Sequence, residues 1–87
     1  MSRKRWVIEG TWSGYTGSQR HVCHRVVTTN PDKFDVTCIG FSDNTTMLIT
    51  KRECKPRERV TEKHGYDRLL EECAIKGLSG YVNVSQL

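Results

Sequence analysis

The segment FDVTCIGFSDNTTMLITKR, residues 34–52, decides the fold of this chain. Phe34–Phe41 and Thr46–Arg52 are rich in β-branched and aromatic residues, a composition typical of β-strands. Ser42–Thr45 lies between them and favours a tight turn, because Asp and Asn side chains hydrogen-bond to nearby backbone groups. The segment therefore predicts two antiparallel strands joined as a hairpin.

Further strands are expected on both sides of this hairpin. His21–Thr29 is rich in β-branched residues, and Asn30–Lys33 after it contains proline and residues that favour turns. The chain from His21 to Arg52 therefore predicts a three-stranded β-meander. Trp6–Glu9 predicts a first strand, and the weak alternation of Gly80–Leu87 predicts an edge strand. We expect an antiparallel sheet of four to five strands.

Both faces of this sheet carry apolar side chains. Cys38 and Ile39 are adjacent, as are Leu48 and Ile49, and adjacent residues in a strand point to opposite faces. One face must cover the core. We expect the other face to be partly covered by the N-terminal strand, the C-terminal tail or a second subunit.

One helix is expected after the charged connector Cys54–Arg59, in which Pro56 ends the preceding strand. Thr61 is a candidate N-cap, although Gly65 is expected to delay regular helix until Tyr66, and Gly77 suits the position just past the helix end. An apolar stripe at helical spacing consists of Tyr66, Leu69, Leu70, Cys73 and Ala74. The fold class is then α+β, with one C-terminal helix packed across the sheet. We expect residues 1–87 to form a single domain, with a flexible basic terminus at residues 1–5.

Composition indicates a soluble globular protein. Of the 87 residues, 36% are hydrophobic and 28% are charged, and no apolar run is long enough to span a membrane or to act as a signal segment. We therefore expect a cytoplasmic protein with no membrane partner. The four cysteines, Cys23, Cys38, Cys54 and Cys73, form no C-x-x-C pair and are expected to be free thiols. No metal site and no cofactor is predicted.

The loop from Trp12 to Arg20 contains the parts of an anion-binding site. Glycines and small hydroxyl residues allow backbone N–H groups to approach a phosphate, arginine adds a bidentate contact, and an aromatic ring can stack on a base. The predicted ligand-binding residues are Trp12, Gly14, Tyr15, Gly17, Ser18, Arg20, His24 and Arg25. The alternative interpretation is an ordinary surface loop with structural glycines and with Trp12 packed in the core.

Strand alternation divides the residues that follow this loop. In a regular strand, His21, Cys23 and Arg25 share one face and His24 points to the other. This alternation argues against one metal ion bound jointly by His21, Cys23 and His24. The alternative interpretation of His24 is a half-buried, hydrogen-bonded histidine.

The segment Lys51–Lys63 holds six basic and three acidic residues, a net charge of +3 in a chain of net charge +4. Such a segment can follow a nucleic-acid backbone, although it has no aromatic residue to stack on bases. The predicted nucleic-acid-binding residues are Lys51, Arg52, Lys55, Arg57 and Arg59. The alternative interpretation is a solvated charged loop.

Several short motifs suggest a context for the chain. Gly10–Tyr15, Gln19-Arg20, His24-Arg25 and His64–Asp67 together resemble small uncharacterised proteins encoded by phages and prophages. The resemblance implies an accessory protein of the host cytoplasm that counters host defences, by binding a host protein or by sequestering a nucleotide signal. It implies no activity and no catalytic residue.

Three functions follow in order of preference. The first is a non-enzymatic binding protein that holds an anionic ligand, either a nucleotide or a nucleic acid. The second is a protein-interaction module or an inhibitor of a host protein, in one version a homodimer. The third is a small metal-free ribonuclease built from His24 with four further residues, Arg20, Arg25, Tyr15 and Tyr66.

Overall fold

The computed structural model describes residues 4–14 and 19–87. Its strands are β1 (Trp6–Ser13), β2 (Arg20–Thr28), β3 (Val36–Gly40), β4 (Thr46–Glu53), β5 (Lys63–His64) and β6 (Gly80–Asn83). The helix α1 covers Asp67–Ile75, and short 3₁₀ turns cover Pro31–Lys33 and Val84–Gln86. The prediction of an α+β fold with one C-terminal helix is confirmed.

The six strands form one mixed sheet in the order β5-β2-β1-β4-β3-β6. The predicted meander is wrong, because β1 and β4 lie between β2 and β3. Residues 29–35 make this crossing: they can span about 23 Å when extended, and three strand spacings amount to about 14 Å. β1 is antiparallel to both of its neighbours. Its adjacent residues Val7 and Ile8 are both buried, as expected of a central strand.

The predicted hairpin between β3 and β4 is confirmed. Phe41 N–H donates to the Thr45 carbonyl at 2.9 Å, and Asn44 N–H donates to the Phe41 carbonyl at 3.1 Å. Asn44 has φ of 68°, a left-handed conformation that asparagine tolerates better than most residues. Asp43 accepts hydrogen bonds from the backbone N–H and the hydroxyl of Thr45, which lowers the pKa of the Asp43 carboxyl. The turn is therefore closed by its own side chains.

The helix packs on the sheet through the predicted stripe. Leu70 and Cys73 are buried in a core cluster with residues of four strands: Ile8, Val36, Ile39, Met47, Ile49 and Val82. The helix begins at Asp67, close to the predicted delay at Gly65. At its end, Gly77 has φ of 66° and Leu78 N–H donates to the Cys73 carbonyl at 3.0 Å, which is the predicted glycine C-cap.

The tail forms an edge strand, as predicted, but its direction differs from the antiparallel expectation. β6 pairs with β3 in parallel, with Ile39 opposite Val82. The helix lies between β4 and β6 in the chain and returns the backbone across the sheet, so β6 enters beside β3 in the same direction. The sheet is therefore mixed.

The connector 54–62 contacts β2 at Arg25, on the sheet face away from the helix, and at the backbone of Val27, on the β2 edge. Arg25 Nη1 donates to the Thr61 carbonyl at 3.4 Å, and Val27 N–H donates to Glu62 Oε2 at 2.9 Å. The opposite part of this face stays open, since Leu48 is 53% exposed and Tyr81 is 61% exposed. Neither the N-terminal strand nor the C-terminal tail supplies the expected cover.

Candidate anion-binding site

The basic connector begins with a β-turn at Lys55–Glu58. Pro56 occupies the second turn position, where its fixed φ is favourable, and Glu58 N–H donates to the Lys55 carbonyl at 3.0 Å. The Glu58 carboxylate accepts from the Lys55 N–H at 3.1 Å and from both terminal nitrogens of Arg52, at 2.8 and 2.5 Å. Hydrogen bonds from Arg52, followed by that from Lys55, lower the pKa of Glu58 to about 2. This bidentate ion pair joins the Lys55–Glu58 turn to Arg52 near the end of β4.

This turn borders a surface groove of about 620 Å³. Its lining consists of Arg52, Lys55, Arg57 and Glu58, three cations against one carboxylate. Within residues 4–14 and 19–87, neither Lys55 nor Arg57 forms an ion pair. The groove therefore contains two cations, Lys55 and Arg57, that have no ion-pair partner among the described residues. They lie beside Arg52, whose charge is partly neutralised by Glu58.

The two remaining predicted nucleic-acid-binding residues lie outside the groove lining. Arg59 is exposed further along the connector. Lys51 stands opposite Ile8 in the ladder, so it lies on the helix side of the sheet, where its Nζ is 3.8 Å from Asp35 Oδ1. The structure thus brings together Arg52, Lys55 and Arg57 and leaves Lys51 apart from them.

The glycine loop is described only at its ends. Gly14 N–H donates to the Gln19 carbonyl at 2.9 Å, which closes the connection between β1 and β2. Arg20 is exposed at the start of β2. The predicted ligand-binding residues Tyr15, Gly17 and Ser18 lie outside the described residues. Phosphate binding by this loop therefore stays a prediction.

Two of the other predicted ligand-binding residues, Trp12 and Arg25, already have hydrogen-bond partners within the fold. Trp12 Nε1 donates to Thr45 Oγ1 at 3.1 Å, so the indole is tied to the β3–β4 turn. Arg25 Nε donates to Glu9 Oε2 at 2.9 Å on the face away from the helix. His24 is buried beneath the helix. The structure therefore does not gather Trp12, His24 and Arg25 around the loop, and it separates His24 from Arg25 in the ribonuclease hypothesis.

A β-bulge at Cys23 changes the alternation of β2. His24 is opposite Gly10 and Val22 is opposite Thr11, so Cys23 has no partner in the ladder. His21 is opposite Trp12, with 5.1 Å between the ring centroids, and Trp12 shares the face of Gly10. His21 and His24 therefore lie on the same face. The expected separation of these histidines is wrong, because a bulge shifts the alternation by one residue.

A second cluster near the bulge was not predicted from the sequence. His24 and His64 are opposite each other in the pairing of β2 with β5, and their rings are 6.5 Å apart and nearly perpendicular. Each ring turns its Nδ1 toward Asp67 at the start of α1: that of His24 lies 3.1 Å from Oδ1, and that of His64 contacts Oδ2. In the sequence, the i,i+3 spacing of His64 and Asp67 at the start of the helix was the available indication that these two side chains lie close together. The pairing with His24 could not be seen in the sequence, because it is long-range.

Burial lowers the pKa of His24. Its side chain is 1% exposed, and loss of hydration lowers its pKa, while the nearby Asp67 carboxylate opposes that shift. Within the described part of the chain, neither ring nitrogen forms a hydrogen bond, although Nδ1 lies 3.1 Å from Asp67 Oδ1.

A Cβ added to Gly65 would collide with the Cys23 carbonyl oxygen, so glycine permits the close approach that brings β5 to the bulge.

Comparisons with protein families, with curated proteins and with solved structures found no match.

In the described ranges, no group of three or more His, Cys, Asp or Glu side chains is arranged to hold a metal ion. No helix in those ranges has the length and apolar character needed to cross a membrane.

Proposed function

We propose that the protein is a non-enzymatic binding protein that holds a polyanion, specifically a nucleic-acid backbone, along the groove at Arg52, Lys55 and Arg57. The observation that carries this proposal is the Arg52–Glu58 ion pair, which orders the turn so that Lys55 and Arg57 line one groove. Cations held in fixed positions contact phosphates without reading base sequence. The net positive charge seen in the sequence is thereby located on one surface, the groove at Arg52, Lys55 and Arg57.

The groove favours backbone contacts over base contacts. No aromatic side chain is among its lining residues, and single-strand binding proteins depend on such side chains for stacking. A duplex presents phosphates without requiring a stacking platform. We therefore propose a double-stranded nucleic acid as the preferred ligand, with single strands bound more weakly.

The glycine loop is proposed as a second anion contact. Arg20 is exposed beside it, Gly17 and Ser18 would supply backbone and hydroxyl donors, and Tyr15 would stack, whereas the Gly14 N–H already donates to the Gln19 carbonyl. In the phage setting that the sequence resemblance implies, the ligand at this loop would be a nucleotide signal or a nucleic acid of the host. Arg20→Ala is expected to weaken nucleotide binding and leave the fold intact.

The duplex proposal is tested with a double variant, Lys55→Ala with Arg57→Ala, against labelled duplex DNA, duplex RNA and single-stranded DNA in fluorescence anisotropy. The matched control is Lys33→Ala with Lys76→Ala, which removes the same charge from two exposed residues elsewhere. The first variant is expected to bind at least tenfold more weakly at low salt. The slope of log affinity against log salt concentration is expected to fall by about 1 for each lost phosphate contact.

Two results would contradict this function. One is an absence of binding by the wild-type protein to all three nucleic acids at low salt. The other is an equal loss of affinity in both double variants, since that would show a dependence on net charge and not on the groove.

One observation favours a protein-interaction surface as a second candidate function. Thr11, Leu48, Cys38 and Tyr81 stand opposite one another across four strands. This row lies on the open part of the sheet face, contains no charged residue, and exposes Leu48 and Tyr81 by more than half. Exposed apolar rows of this kind are suited to sheet-on-sheet packing with a host protein or a second copy. Weak salt dependence of partner binding would distinguish this function from polyanion binding.

A further inference from the structure

The cluster of His24, His64 and Asp67 joins three elements at one point. The residues come from β2, from the two-residue strand β5, and from the first turn of α1. They border a groove of about 280 Å³, together with apolar side chains that include Val26 and Phe34. Both oxygens of one carboxylate face an imidazole nitrogen. This arrangement is independent of the basic groove and is not used in the proposed function.

His24 is the side chain that points to a ligand. It is 1% exposed, its Nδ1 lies 3.1 Å from Asp67 Oδ1 without forming a hydrogen bond, and its Nε2 has no partner among the described residues. Buried polar atoms in native proteins are nearly always paired, because an unpaired buried group retains the cost of lost hydration. A cation between the imidazole nitrogen and the Asp67 carboxylate would satisfy both groups.

We propose that this cluster binds one divalent transition-metal ion of the zinc class, with His24 Nδ1, Asp67 Oδ1 and His64 Nδ1 as its ligands. The 3.1 Å between the His24 nitrogen and the Asp67 oxygen suits two neighbouring ligands that each lie about 2.0–2.2 Å from zinc. Two imidazoles with one carboxylate form a known zinc ligand set, which leaves a further position to water.

His64 must move to complete the site. Its Nδ1 now contacts the Asp67 carboxylate directly, and for this reason the three groups are not arranged around a metal position as they stand. The His64 side chain is 56% exposed and Asp67 is 37% exposed, so both can rearrange on the solvent side while His24 stays fixed. The ion would enter from that side.

The ligand atoms of the proposed site determine which metal ions it selects. Imidazole nitrogen favours zinc, nickel and copper, whereas magnesium and calcium prefer sites made of oxygen ligands. Binding would link β2, β5 and α1, and an ion that binds only the folded chain raises its thermal stability. Zinc is therefore the probe, and magnesium is the comparison ion.

The test uses the full chain after chelator treatment, with zinc and magnesium titrated in calorimetry and in thermal unfolding. The variants are His64→Ala, at an exposed position, and Asp67→Asn, which keeps the side-chain shape. The control is His21→Ala, which removes an exposed histidine on the same strand. We expect one zinc per chain, a raised melting temperature, and affinity lowered at least tenfold in both variants but unchanged in the control.

The proposal is overturned by any of three results. The first is an absence of zinc binding to the wild-type chain. The second is zinc binding that His64→Ala and Asp67→Asn leave intact, because this would place the ion on the thiols or elsewhere. The third is equally strong binding of magnesium. Circular dichroism of each variant separates loss of the site from loss of the fold.

Discussion

At the scale of single residues, local chemistry was the most predictable part of this chain. Asn44 and Gly77 were expected in a tight turn and a helix end, and both have positive φ there. Each rule depends on a few neighbouring residues. The bulge at Cys23 was not predictable in this way, because it depends on the partner strand. The faces of His21 and His24 were therefore assigned incorrectly.

Glu58 gives a pH prediction at this scale. Its folded pKa of about 2 lies below its ordinary value of 4.5, because Arg52 and the Lys55 N–H stabilise the carboxylate. A depressed carboxyl pKa contributes stability that is fully present above the unfolded pKa, here about 4.5, and is lost as the pH falls through about 2. We therefore expect the ion pair with Arg52 to persist throughout the neutral and mildly acidic range.

The measurement is an NMR titration of the Glu58 side-chain carboxyl, with Glu53 as a glutamate control in the same segment. The Glu58 midpoint is expected near 2. An Arg52→Gln variant removes the two charged donors and is expected to move the midpoint upward. A wild-type midpoint near 4.5 would contradict the ion pair and weaken the argument for an ordered groove.

At the scale of elements, the existence of the helix followed from its apolar stripe. Leu70 and Cys73 in that stripe are buried against the sheet, while Ile75 beyond them is 83% exposed. The periodicity of apolar residues identifies the buried face because a helix has 3.6 residues per turn. The start of the helix was less certain from sequence, since the N-cap residue Tyr66 makes no side-chain cap hydrogen bond.

Leu70 and Ile75 form a matched pair of positions for a stability measurement. Leu70→Ala is expected to lower the free energy of unfolding by about 2–5 kcal/mol, because it leaves a cavity between the helix and the sheet. Ile75→Ala is expected to change it by less than about 0.5 kcal/mol, since the side chain is exposed. Urea unfolding followed by circular dichroism measures both. Similar losses in the two variants would contradict the packing of α1 described above.

At the scale of the whole molecule, strand order was the least predictable property. Each strand from Trp6 to Glu53 has a local signal, but the insertion of β1 between β2 and β4 depends on pairings between distant residues. Val7 and Ile8, apolar and adjacent, were the available indication that β1 is central. A further long-range pairing, that of β2 with β5, brings His24 to His64, and no local pattern in the sequence predicts it.

The open part of the sheet gives a prediction for the assembled state. If two copies pair through the row containing Leu48 and Tyr81, the sedimentation coefficient should rise with protein concentration. Leu48→Lys should then keep the protein monomeric, because two added charges would meet at the interface without a partner. The fold should persist in this variant, since Leu48 is 53% exposed. Ile75→Lys is the control for exposed apolar residues on another surface. A wild-type monomer at every concentration would contradict the homodimer.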